Sequence, residues 1–139
     1  MRKLLVVGIL LLTSLPSFSQ EEENIQAVVE KLFKAMELGD SAMARATFAK
    51  QVTTASVFKN KEGKTVTHRE QGIDGFMKAI GTPHEQTWYE EIWNVETRID
   101  EDFAQVWCDY AFYVDETFSH CGVDAFHMVK LDGSWKIFH

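Results

Sequence analysis

Apolar residues recur at Ile25, Val28, Val29, Leu32, Phe33 and Met36, at spacings of three and four. That is one stripe of an amphipathic helix. Gly39 stands where a left-handed cap would end it. Asp40 is placed to cap a second, shorter helix over residues 41–49, burying Met43, Ala46 and Phe48. The period then changes. Residues 51–59 are rich in Val, Thr and Phe and predict a strand, residues 60–63 a turn, and residues 64–67 a short return strand. Thr67-His68-Arg69-Glu70 matches a capping box ahead of Ile73, Phe76, Met77 and Ile80, with Gly81 as the stop. This predicts a third helix with His68 in its first turn. Thr82-Pro83 breaks the chain and leaves His84 in a loop.

A long strand is predicted over residues 86–99, turned by Asp100-Glu101-Asp102. Residues 103–136 then read as an antiparallel meander, dominated by Val, Tyr, Phe and Trp and punctuated by Asp115-Glu116-Thr117 and Asp132-Gly133-Ser134. The predicted order is α-α-β-β-α-β-β-β-β, with helices segregated from a mostly antiparallel sheet, so the class is α+β.

Alternation assigns faces to these strands. In the first long strand, Trp88, Glu90, Ile92, Asn94, Glu96 and Arg98 share one side. Tyr89, Glu91, Trp93, Val95, Thr97 and Ile99 share the other, which is more apolar and is expected to be the covered one. For the following hairpin two registers compete. With Val114 opposite Thr117, Cys108 pairs with Val123 and Cys121 with Tyr110. Shifting the turn by one residue puts Cys108 opposite Asp124 and Cys121 opposite Ala111. Polarity segregates better in the first. It gathers Val106, Cys108, Tyr110 and Phe112 with Ala125, Val123, Cys121 and Ser119 as a core face. Trp107, Asp109 and Ala111 with Asp124, Gly122 and His120 form a pocket wall. Neither register sets Cys108 across from Cys121, so no disulfide is expected between them, and both thiols are expected to be buried and inert.

The N-terminus changes the picture of where the chain works. Arg2 and Lys3 precede an apolar run over residues 4–12, Pro16 ends it, and Ser17-Phe18-Ser19 offers small residues for cleavage before Gln20. This reads as a secretory leader over residues 1–19 and an exported single domain over residues 20–139, periplasmic or secreted. The apolar run is far shorter than the roughly 20 residues that span a bilayer. Formal charge is -7, and loss of Arg2 and Lys3 makes the domain more acidic still. An acidic domain without basic clusters argues against nucleic acid or an anionic membrane as partner.

The segment Phe112-Tyr113, Ser119-His120-Cys121-Gly122-Val123-Asp124-Ala125-Phe126, then Asp132-Gly133-Ser134-Trp135-Lys136-Ile137 resembles the nuclear transport factor 2-like superfamily, a cystatin-like cone. Within it, the segment is similar to a bacterial branch labelled "putative lumazine-binding". Gly39-Asp40 between the first two helices and Phe48 after them agree. The resemblance covers residues 20–139 and implies a curved sheet wrapped round the N-terminal helices with a pocket at one end. It also implies a last strand continuing several residues past the position of His139, and homodimers paired sheet to sheet.

Candidate chemistry collects on the predicted pocket wall. Trp107, Asp109, His120, Gly122, Asp124, Phe126 and Trp93 are the expected ligand contacts. His120, Asp124 and Asp109 are the candidates for acid or base work, since a carboxylate near an imidazole can fix its tautomer. His120 and Asp124 stand about 13 Å apart along a strand and do not touch directly. The plain alternative is a His120 hydrogen-bonded near the turn and Asp124 as a satisfied rim acid. Cys108, Cys121, His120, His127 and Asp124 include metal-ligand types without ligand spacing, so no metal or cofactor is expected. Trp88, Tyr89, Trp93, Trp107 and Trp135 could stack a flat ligand such as a pterin or flavin, or fill the core and a dimer face. There is no nucleophile elbow or phosphate loop. Three functions follow: a non-catalytic binder of a small aromatic or apolar ligand, which is preferred; a small isomerase, dehydratase or cyclase; or an interaction module whose cone is filled.

Overall fold

The computed structural model describes residues 18–139. The predicted leader therefore lies outside the described residues, apart from its last two, which begin α1. The elements are α1 (Phe18–Leu38), α2 (Ser41–Arg45), β1 (Thr53–Lys59), β2 (Thr65–Gln71), α3 (Asp74–Gly81), β3 (Trp88–Asp100), β4 (Phe103–Val114), β5 (Thr117–Leu131) and β6 (Ser134–Ile137). This is the predicted α+β order.

α1 buries the predicted stripe, with Ile25, Val29, Leu32, Phe33 and Met36 all in the core. It ends in a two-bond cap: Gly39, at φ +66, donates to Met36 and Asp40 donates to Ala35. A residue with a Cβ is disfavoured in that left-handed position. Asp40 then accepts from the Met43 backbone N–H at 2.8 Å, which starts α2. α2 is shorter than the pattern suggested. After it, Phe48 makes a bridge to Ile137, and the Thr47 and Ala49 backbones bond to Ile137, so this stretch runs beside β6.

The sheet β3-β4-β5-β6 is antiparallel throughout and curved. Its concave face closes over α1. Ala104, Val106 and Met128 are fully buried there, with Trp135 and Ile137 of β6. Asp132-Gly133, both at positive φ, makes the tight β5–β6 turn.

Three expectations are corrected. The capping-box sequence Thr67-His68-Arg69-Glu70 is not a helix start: it lies in β2, which pairs with β1 over seven residues as a separate two-stranded sheet. His68 is thus a strand residue, within hydrogen-bond distance of Glu70 at 2.9 Å. The ladder to β1 bonds the backbone of alternate residues here and holds the stretch extended, and α3 begins later, after Gly72 at φ +92. Second, β3 has neither of the predicted faces. A bulge between Trp93 and Glu96 switches sides, so the covered set is Trp88, Glu90 and Ile92 followed by Val95, Thr97 and Ile99. Asn94 takes the left-handed φ of 50 at this bulge and donates its side-chain amide to Asp109 at 2.8 Å.

The third correction is the hairpin register. Val114 does face Thr117, as preferred, and Tyr113 faces Phe118. Ser119 is then extra, and from Phe112–His120 onward the pairing follows the shifted register: Ala111 with Cys121, Tyr110 with Gly122, Cys108 with Asp124. A one-residue bulge moves every later side chain to the opposite face. Cys108 and Cys121 are both free, on opposite faces. Cys121 is exposed rather than buried.

Candidate functional site

The predicted pocket wall is split by these bulges. Trp107 and Asp109 lie on the convex face, where Trp107 is well exposed, as is Trp93. Asp109 is spoken for by Asn94. His120, Gly122 and Asp124 lie on the concave face, beside Cys108, Tyr110 and Phe112 rather than opposed to them. Phe126 is also concave, but it packs edge-on to Phe33 at 6.0 Å and helps fill the narrow end.

Burial along this face has a gradient. On β4 it falls from Ala104, Val106 and Cys108, all fully buried, to half-buried Tyr110 and Phe112. On β5 it falls from buried Met128 through Asp124 to exposed His120. The concave face thus opens toward the β4–β5 turn.

At this opening stands a residue that sequence alternation placed on the less covered side, Glu90. It is opposite Phe112 on β3, and its carboxyl hydrogen-bonds to that of Asp124. Burial pushes Glu90 up to about 8, helped by the neighbouring Asp124 charge and the shared hydrogen bond. Burial also raises Asp124, opposed by the bond from Glu90 and by His120. Two like acids in one half-buried site cannot both ionise cheaply. The pair therefore holds on to a proton more strongly than either acid would alone, and Glu90 carries the larger share of the upward push. The only signal available for Glu90 was an acid in a strand otherwise bordered by Trp88 and Ile92.

The surrounding groups stay protonated. The buried Cys108 thiol is pushed to about 12 by burial and then by Asp124 and Glu90. The Tyr110 hydroxyl is raised for the same reasons. Tyr110 lies over Gly122: a Cβ there would sit 3.0 Å from its ring. Only glycine admits the ring at this distance. An aromatic row continues across the opening, with Tyr110 and Phe112 at 5.8 and 5.1 Å from the His120 ring, Phe112 edge-on to Trp88 at 6.3 Å, and His84 stacked on Trp88 at 4.4 Å. His120 is held by a hydrogen bond between its Nδ1 and Ser119 Oγ, 3.1 Å, which is the plain role expected of it.

Other cavities lie elsewhere among the described residues. One of about 370 Å³ is between α1 and the β5–β6 hairpin. One of about 260 Å³ sits on the convex face beside Trp107, Glu96, Arg98 and Gln105. No group of three or more metal-ligating side chains occurs among the described residues.

The family described as "Putative lumazine-binding" matches residues 20–139. Among solved structures, the chain is similar to a nuclear transport factor 2-like superfamily protein from Salmonella enterica, at 16% identity and TM-score 0.67 over 88% of this chain and 89% of that one. It is similar to a "putative dehydratase" of the same superfamily from Streptomyces avermitilis, at 12% identity and TM-score 0.68 over 88% and 94%. A "putative scytalone dehydratase" from Novosphingobium aromaticivorans matches at 18% identity and TM-score 0.65 over 86% and 80%. At these identities the likeness is one of fold. No curated protein matches by sequence.

Proposed function

We propose, on the premise that this chain belongs to the "Putative lumazine-binding" family of the nuclear transport factor 2-like superfamily, that it binds a flat nitrogen heterocycle at the Glu90–Asp124 pair. The observation that carries the reading is a proton-sharing acid pair at the open end of the concave face, bordered by Trp88, Tyr110 and Phe112. A protonated carboxyl beside an ionised one offers one donor and several acceptors. That set matches the alternating carbonyl and N–H edge of a lumazine-type ring, while the aromatic side chains match its faces. A net negative site disfavours anionic ligands.

The test is titration with lumazine, followed by tryptophan fluorescence. Saturable quenching at one ligand per chain is expected, weakened about tenfold in Asp124→Ala through loss of a charged hydrogen bond. Quenching that fails to saturate, or that ignores the substitution, overturns the reading.

A second reading is favoured by the Glu90 carboxyl, whose proton affinity near neutrality suits a general acid, with Asp124 as the paired base. Incubating the ligand with protein in deuterium oxide separates the two. Recovery at unchanged mass supports binding alone; deuterium uptake or loss of water supports acid–base chemistry.

Residues 1–19 are read as an export leader, testable by an intact mass starting at Gln20 for the periplasmic protein. No helix among the described residues is long and apolar enough to cross a membrane. The exposed convex aromatics Tyr89, Trp93, Trp107 and Phe118 are read as the contact face of a homodimer, testable by sedimentation equilibrium.

A further inference from the structure

The geometry points to a second binding site, for a small phosphomonoester or like dianion, in the groove between α1 and the β5–β6 hairpin. The groove encloses about 370 Å³, within the range of small-molecule sites. It is lined by Lys31 from α1, Lys130 from β5 and Lys136 from β6, with Glu21 as its sole acid. In a chain of formal charge -7, the gathering of three ammonium groups from three elements runs against the overall balance.

The groove is built rather than incidental. Glu21 accepts from Lys130 at 2.9 and 3.0 Å and from the Trp135 indole at 2.9 Å. This fixes one lysine and ties the start of α1 to the hairpin. The same bonds hold the Glu21 carboxyl below its usual range, so it remains a fixed counter-charge to Lys130 alone. Lys136 donates to the Ala46 carbonyl at 2.6 Å, which leaves two of its three N–H donors for a ligand. Lys31 makes no ion pair among the described residues. Ser134 and Gly133 complete the wall at the hairpin turn. The surplus is therefore two lysines that line a concave space without an ion pair among the described residues, and ammonium groups of this kind pair with phosphate oxygens. This site shares no residue with the acid pair, and its test is separate from that of the proposed function.

Amide NMR of the purified full chain provides that test, with glycerol 2-phosphate as probe and sodium chloride at matched ionic strength as control. Saturable shifts at Gly133, Ser134 and the Trp135 indole are expected. The Lys31→Gln/Lys136→Gln double variant should bind at least about tenfold more weakly. Glu21→Gln, which removes the opposing charge, should bind several-fold more tightly. Should the double variant unfold, Lys31→Gln alone decides, because Lys31 is an exposed helix residue; a loss of about threefold is expected. Shifts linear in probe, equal shifts with chloride, or affinity unchanged in the lysine variants would overturn the site.

Discussion

Glu90→Gln should make the protein more stable, and increasingly so as pH rises. The substitution keeps the shape of a protonated Glu90 and removes its titration. In the folded chain the group releases its proton at about 8 instead of 4.5. Between those values the unfolded chain has lost a proton that the folded chain still holds. The wild type therefore loses stability as pH climbs through this window, and the loss is complete above about 8. The shift sets a ceiling of about 5 kcal/mol, at about 1.4 kcal/mol per pH unit. Glu90 is only half-buried and shares the strain with Asp124, so solvent screening brings the expected difference to about 2 kcal/mol. Urea denaturation of both proteins from pH 4 to 9.5 measures it. The two curves should coincide near pH 4, separate from about pH 5, and run parallel once Glu90 has ionised in the folded chain, by about pH 8 at the latest. A separation independent of pH would refute the shared-proton pair, and one that shrinks with pH would reverse its sign.

Other expectations concern the bulges, the glycine and the thiols. Gly122→Ala should displace the Tyr110 ring, lower stability by about 1–2 kcal/mol, and alter near-ultraviolet circular dichroism. Asn94→Ala should cost about 1–2 kcal/mol by losing both a residue tolerant of left-handed φ and the bond to Asp109, whereas Asn94→Gly should lose less; thermal denaturation ranks the two. A chromogenic disulfide reagent should label the exposed Cys121 in the native protein, and Cys108 only after unfolding, since its thiol is buried and its proton is held to about 12.

The helices and the strand order were legible because each rests on local chemistry. The α1 stripe, the Gly39 cap and the Asp40 cap are each decided within a few residues. The candidate site was legible only in part. His120, Gly122 and Asp124 do share one face, whereas Trp107 and Asp109, expected beside them, lie on the other, and Glu90 joins them unforeseen. Both errors have one cause. Strict alternation carries a face along a strand only while no residue is inserted, and Ser119 and the Asn94–Val95 step each insert one. Asn94 carried a faint signal, as a residue tolerant of left-handed φ in mid-strand. Ser119 carried none, since its bulge depends on pairing with β4. The capping box at Thr67–Glu70 failed for a similar reason: a local helix-start pattern was overruled by a ladder to β1, which is not local.

The Ser119 bulge also sets what lengths of β5 this fold can accept. Each later residue of β5 shares the face of its β4 partner, so losing Ser119 itself would leave Phe118 opposite Tyr113 and His120 opposite Phe112, and Asp124 and Phe126 would keep their side. Losing one residue more before Asp124 would slide the ladder, send Asp124 and Phe126 outward and bring Cys121 and Val123 in. This stretch therefore has one spare residue, and viable homologues should carry either the bulge or a plain hairpin shorter by one residue.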